Sequence, residues 1–221
     1  GYSFKNGPGY RDFNHFFIRR FKKDKRSFPS TMAHLGAPAE ARYFAYKKID
    51  EHEKVPVKGK FLTPRALIDN PKWNKIFLDG PLLLARLCPV DYHRFHFPDD
   101  GVILDTFTNH GGLHSVNPIA LKKRPGIFIN NERQVTIIET RCFGKMAYIE
   151  VGATMVGKIV QTHKRKEFKR GQEKGYFLFG GSTIVVIGEK GKWLPDADLL
   201  AYTKKGMETY LKLGAHLGHL S

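Results

Sequence analysis

The stretch GYFLFGGSTIVVIGEK, residues 175–190, sets an aromatic run and a β-branched run on either side of Gly-Gly-Ser-Thr. Both runs read as strands, because aromatic and β-branched side chains pack well on a pleated surface. Gly-Gly beside Ser is ordinary hairpin chemistry, so the plain expectation is two paired strands joined by a tight turn. A serine directly after two glycines also permits a second reading, a nucleophile whose backbone surroundings require the absence of a Cβ. Spacing alone does not choose between them.

Runs of the same character recur from Ala37 onward: RYFAYKKI, VPVKGKFL, GVILDTFTN, GIFINN, QVTIIETRCF and MAYIEVGATMVGKIV, separated by Gly, Pro, Asn and Asp. That texture predicts a β-rich domain of many short strands. TPRALIDNPKWNKIFLDGPLLLARL (63–87) reads as a helical interruption broken at Asp69, Pro71 and Pro81. Near the end, Leu199, Leu200, Met207, Tyr210 and Leu211 fall at helix-like spacing around an interior Gly206, with Asp196 as N-cap. At the other end, Phe13, Phe16, Phe17 and Phe21 stand among Lys and Arg, which predicts a basic amphipathic helix packed on the domain or inserted at a membrane surface. THKRKEFKRGQEKG (162–175) reads as a solvated basic loop. The expected fold class is α+β, mostly β: a sandwich or barrel-like catalytic domain at 37–221, an N-terminal basic segment at 1–36 and a C-terminal helix.

With 221 residues and 41% hydrophobic content, the chain can bury one sizeable core. Thirty-seven Lys and Arg against 21 Asp and Glu give a net charge of +16, a field that favours acidic lipid headgroups or nucleic acid. No RNP, helix-turn-helix or zinc-finger pattern accompanies that charge, which argues against nucleic acid. Cys88 and Cys142 lack CxxC spacing, so neither a disulfide framework nor a thiolate zinc site is indicated, and a reduced intracellular setting is expected. No run of eighteen apolar residues occurs, so membrane contact is expected from the surface. The chain opens at Gly1 rather than Met, and a natural beginning upstream of it is expected.

Three groups could carry chemistry. His93 and His96 lie in DYHRFHFPDDG; three apart in a strand, they face opposite sides unless a bulge re-aims one. A metal set would have to add His110 and His114 from TNHGGLH and lacks a carboxylate or thiolate at fixed spacing, so no metal is expected. Glu40 in GAPAEARYF reads by itself as an exposed acid, and Ser182 is the serine of the opening stretch.

Read together and in order, FNHFFIRRFKK, APAEARYFAYKKID, DYHRFHFPDDG, LHSVNPIALKKRPGIFINNER, VGATMVGKI, KGYFLFGGST and TKKGMETYLKLGAHLG resemble the phosphatidylserine decarboxylases, from about Phe13 to Leu217. The resemblance implies self-cleavage between Gly181 and Ser182 into chains 1–181 and 182–221 that stay associated. Gly181 has no side chain to block attack on its carbonyl, and a histidine-activated Ser182 hydroxyl would shift the acyl group from nitrogen to oxygen. Elimination and hydrolysis would then leave a pyruvoyl cofactor derived from Ser182, a ketone that takes up the substrate amine and draws electrons as carbon dioxide leaves. By the same resemblance, His96 matches the histidine of the maturation triad and His93 the histidine of decarboxylation and protonation. Glu40 departs from the pattern: Pro38-Ala39-Glu40-Ala41 stands where the family usually shows PADG or PADS. A glutamate can still orient the imidazole and fix its tautomer, so Glu40 is expected as the catalytic acid beside His96; its extra methylene moves the carboxylate by about a bond length, and ~1 Å of misplacement can cost ~10²-fold in rate, which leaves slow maturation or use of another acid open. The implied partners are phosphatidylserine and an anionic membrane surface, with a peripheral position on the cytoplasmic face of a membrane, no nucleic acid, and homodimerisation left open. Decarboxylation of a free aromatic amino acid such as tryptophan, or a non-catalytic lipid- or nucleic-acid-binding module, are the competing readings.

Overall fold

The computed structural model describes residues 9–48, 63–112, 127–152, 159–178 and 182–221. Among these, strands dominate, as the short-run texture predicts. The earliest elements are a five-residue helix α1 (Phe13–Phe17) and the strands β1 (His34–Gly36) and β2 (Ala41–Tyr46). Helices α2 (Pro64–Ile68) and α3 (Pro71–Asn74) follow, then a 3-10 turn at Lys75–Phe77. The chain continues through β3 (Leu82–Leu87), β4 (Arg94–His96), β5 (Gly101–Asn109) and the short α4 (Ile127–Asn130). After β6 (Arg133–Thr140), β7 (Lys145–Val151), β8 (Ile159–Gln161), β9 (Glu167–Phe168) and β10 (Glu173–Phe177) comes β11 (Ser182–Gly188). The chain closes with β12 (Trp193–Pro195), α5 (Ala197–Lys204), β13 (Thr209–Leu211) and β14 (His216–Leu220).

Every residue of β11 is buried, which suits a run of Thr, Ile and Val with no polar alternation. It lies within an eight-stranded sheet ordered β13-β2-β3-β11-β7-β6-β5-β9, paired antiparallel to β3 and β7. Two three-stranded sheets, β4-β10-β8 and β1-β14-β12, complete the described architecture. β10, ending at Phe177, and β11, starting at Ser182, belong to different sheets, so the two runs are not the paired strands of a hairpin.

Several expectations are corrected. PLLLARL is not helical, because Leu82–Leu87 pairs with both β2 and β11; an apolar run this short suits a strand or a helix, and the sheet decides. GIFINN contains α4 rather than a strand. The terminal helix stops at Lys204, since Gly206 adopts φ +71° and turns the chain back into β13 and β14. Asp196 occupies the N-cap position without a capping bond, and its carboxylate meets His216 and His219 at 3.2 and 3.3 Å instead. The basic N-terminal helix shrinks to α1, with Phe17 buried and Phe13 53% exposed. VPVKGKFL lies outside the described residues.

The basic run 162–175 is not a free loop. Phe168 of β9 stacks on Phe97 with ring centres 3.9 Å apart, and Lys174 is buried against Glu150 of β7 at 2.6 Å. Burial pushes the Glu150 carboxyl up and the Lys174 amine down, each opposed by the attraction of the other. That pair ties β10, the strand leading toward Ser182, to the large sheet.

Candidate active site

Ser182 is the first residue of β11, opposite Leu87 of β3, and is fully buried. Among the described residues, neither its hydroxyl nor that of Thr183 has a hydrogen-bond partner. An unsatisfied buried hydroxyl costs about 1–3 kcal/mol, so one maintained at a strand end asks for an explanation other than stability. Gly181 lies outside the described residues.

His93 follows β3 by a short turn and leads into β4. The chain runs from Leu87 through a turn in which the Asp91 N–H donates to the Cys88 carbonyl and the Cys88 N–H donates to Asp91 Oδ2 at 2.7 Å. It then reaches His93, whose carbonyl accepts the Phe177 N–H at 3.0 Å. Ser182 pairs with Leu87, and Phe177, five residues before Ser182, is bonded to His93. The His93 ring is buried against Phe17 with ring centres 3.7 Å apart. Its Nδ1 lies 3.0 Å from the Asp91 carbonyl, which can only accept, so Nδ1 carries the proton and Nε2 is left as a bare lone pair. Burial pushes the imidazole down to about 3, so it is neutral at pH 7.

His96, the last residue of β4, has a similar arrangement: its Nδ1 donates to the Gly171 carbonyl at 2.9 Å, and its buried Nε2 has no partner among the described residues. Burial again lowers its pKa. Gly171 adopts φ +75°, with the Phe28 ring where a Cβ would stand, so glycine is what lets this carbonyl reach His96. The β10–β4 register shifts between Glu173 and Gly175, a bulge beside His96. The two histidines face different surroundings, as their spacing predicts. His96 lines a cavity of about 220 Å³ with Arg20, Lys22, Arg26, Tyr92 and Glu173.

Glu40 is not an exposed acid: it is 4% exposed. Nor is it bonded to His96. Arg26 grips its carboxylate with two bonds of 2.6 and 3.0 Å, Tyr210 donates to it at 2.9 Å and the Leu213 N–H at 3.3 Å. Burial alone would raise this carboxyl, but those four donors outweigh it and hold it below the usual range. Its link to His96 runs through the backbone, where the His96 N–H donates to the Pro38 carbonyl at 2.8 Å.

Sequence reading missed Arg26, Tyr210, Asp91 and Gly171, none of which carries a local signature. Arg19 was hidden likewise: it donates to the Val90 and Asp91 carbonyls at 2.7 and 3.0 Å, against the turn that orients His93. His110 is a surface residue 3.7 Å from Glu132, and His114 lies outside the described residues.

Among the described residues, the Ser182 hydroxyl and the Nε2 atoms of His93 and His96 are buried without hydrogen-bond partners, and these are the kinds of group that proton abstraction and acyl chemistry use. The comparisons agree in class. A family model for phosphatidylserine decarboxylase matches residues 13–214. A phosphatidylserine decarboxylase proenzyme of Clostridium novyi (strain NT) is 42% identical over 210 residues, covering 95% of this chain and 71% of its own. The proenzyme of the same name from Clostridium tetani (strain Massachusetts / E88) is 41% identical over 217 residues, 98% of this chain and 73% of its own. That of Ruminiclostridium cellulolyticum is 40% identical over 211 residues, 95% of this chain and 70% of its own. The chain belongs to the phosphatidylserine decarboxylase family.

Proposed function

We propose that this chain matures by breaking its own Gly181–Ser182 bond and then converts phosphatidylserine into phosphatidylethanolamine and carbon dioxide. The observation that carries the reading is the buried Ser182 hydroxyl at the head of β11, without a hydrogen-bond partner among the described residues. His96 acts as the base of maturation: its Nε2 lone pair takes the Ser182 proton as the oxygen attacks the Gly181 carbonyl. The C–N bond breaks as the acyl group moves to oxygen, elimination releases the Gly181 carboxylate, and hydrolysis of the resulting dehydroalanine releases ammonia. The pyruvoyl group left at residue 182 supplies an electron sink when substrate is bound. An unpartnered buried hydroxyl at that position fits this fate, since no hydrogen bond is lost when it is consumed.

His93 relays a proton to the α-carbon after carbon dioxide departs: its Nε2 lone pair takes up the proton given by the substrate ammonium group and returns it, while Nδ1 stays bonded to the Asp91 carbonyl. Glu40 serves as a positioning acid, fixing with Arg26 and Tyr210 the Pro38–Glu40 turn against which the His96 backbone is held. Chains 1–181 and 182–221 stay joined after the cut because β11 keeps β3 and β7, β13 keeps β2, and β14 keeps β1. Substrate is met at an anionic membrane surface; among the described residues no helix is long and apolar enough to cross a membrane.

The test measures carbon dioxide from carboxyl-labelled phosphatidylserine and from tryptophan, with Ser182→Ala as blank. Release from the lipid alone supports the reading. Release from tryptophan alone, or none from either by cleaved protein, overturns it.

A further inference from the structure

We infer that the basic ribbon 162–175, with Arg141, is a docking surface for an anionic phospholipid bilayer, set directly beside the His96 cavity. Its use in catalysis rests on the lipid-substrate reading above.

Arg141, Arg165 and Lys169 line a second cavity of about 740 Å³ together with Asp100, Glu167 and Gly171. Lys164 and Lys166 flank it and are exposed. Lys164, Arg165 and Lys166 have no ion pair among the described residues. Lys169 and Arg141 reach Asp100 only at 3.5 and 4.0 Å, with side chains 82% and 63% exposed. Arg170 is committed elsewhere, to Asp99 at 2.6 Å and to the Pro29 and Thr31 carbonyls. Five unburied cations thus stand against two acids, Asp100 and Glu167.

The platform is fixed rather than floating. Phe168 is stacked in the core, the Lys166 carbonyl accepts the Ile103 N–H at 2.8 Å, the Arg170 N–H donates to Asp100 Oδ1 at 2.8 Å, and the Gly171 N–H donates to the Phe97 carbonyl at 2.9 Å. Backbone already ordered loses little freedom on binding. Lys164, Arg165, Lys166 and Lys169 are all exposed, and of these four only Lys169 has an ion-pair partner among the described residues, which suits the smeared charge of a lipid leaflet.

Position gives the surface its role. Gly171 lines both cavities, and its carbonyl holds His96 Nδ1. Arg20 and Lys22 continue the positive lining into the smaller cavity. A bilayer held on the ribbon would present headgroups at the mouth that contains His96.

Each Lys or Arg near an anionic leaflet contributes about 1 kcal/mol, roughly a five-fold change in partition. Arg165→Gln with Lys169→Gln should therefore weaken binding about 25-fold on vesicles of phosphatidylcholine mixed with phosphatidylglycerol, measured by co-sedimentation at low salt. Lys204→Gln with Lys205→Gln, at exposed positions lining neither cavity, should leave binding near the parent's. Turnover of short-chain phosphatidylserine dispersed below its micelle concentration should be unchanged in the Arg165/Lys169 variant. Equal binding by that variant and the parent overturns the surface, as does an equal loss from the Lys204/Lys205 pair, or a parallel fall in turnover of the dispersed lipid. A parent that binds mixed vesicles through these residues yet releases no carbon dioxide overturns the enzymatic reading and leaves the surface standing.

Discussion

Acidification from pH 8 to pH 5 should destabilise the uncleaved chain by about 2 kcal/mol through His93 alone. The magnitude follows from its surroundings. Burial, reinforced by the nearby Arg19 charge and only partly opposed by the bond to the Asp91 carbonyl, lowers the folded-state pKa from 6.5 to about 3. Below 6.5 the unfolded chain takes up a proton that the folded chain refuses. The stability from this group is therefore complete above 6.5 and falls by about 1.4 kcal/mol per pH unit down to about 3. At pH 5 the loss spans roughly one and a half units, giving about 2 kcal/mol. His96, shifted in the same direction, adds to it. Urea unfolding of a Ser182→Ala chain across this range, with and without His93→Asn, isolates the effect; asparagine can still donate to the Asp91 carbonyl but does not titrate. Loss of the Phe17 contact shifts the whole Asn curve, whereas only the titration changes its slope. Parallel pH curves for the two proteins would refute the buried, neutral histidine.

His96→Asn, which keeps a donor for the Gly171 carbonyl and removes the Nε2 base, should slow self-cleavage by about 10²–10⁴-fold on a denaturing gel, while His93→Asn should cleave and fail to decarboxylate. Arg26→Ala leaves the buried Glu40 carboxylate without its bidentate partner and should cost about 2–3 kcal/mol in urea unfolding, with Glu40→Gln in the same chain recovering much of it. Lys174→Met should cost about 3–5 kcal/mol by stranding Glu150 in the core, and adding Glu150→Leu should restore most of that; a double variant no better than the single would contradict the pairing.

The strand-rich class was legible because alternating and β-branched runs survive as local patterns, and the family was legible from motifs that follow one another in a fixed order. What was hidden is non-local. Leu82–Leu87 carries no period that separates strand from helix, and only its neighbours β2 and β11 fix it. Gly206 resembles an interior helix residue until its positive φ ends the helix. Lys174 looks like one more cation in a charged run, and its burial depends on Glu150, which lies on another strand. The grip of Arg26 on Glu40 joins two segments that neither periodicity nor spacing connects, so only the fold shows that the Glu40 carboxylate is bonded to Arg26 and Tyr210 and not to the imidazole it was expected to orient.

The most direct measurement is the intact mass of the protein under denaturing conditions. Cleavage at Gly181–Ser182 predicts pieces of about 20 and about 4 kDa, using ~110 Da per residue, with the smaller one lighter by an ammonia than residues 182–221 beginning with an intact serine, and labelled by a carbonyl-trapping reagent. A single uncut chain in preparations that release carbon dioxide, or a small piece that still begins with an unmodified serine, would contradict the account.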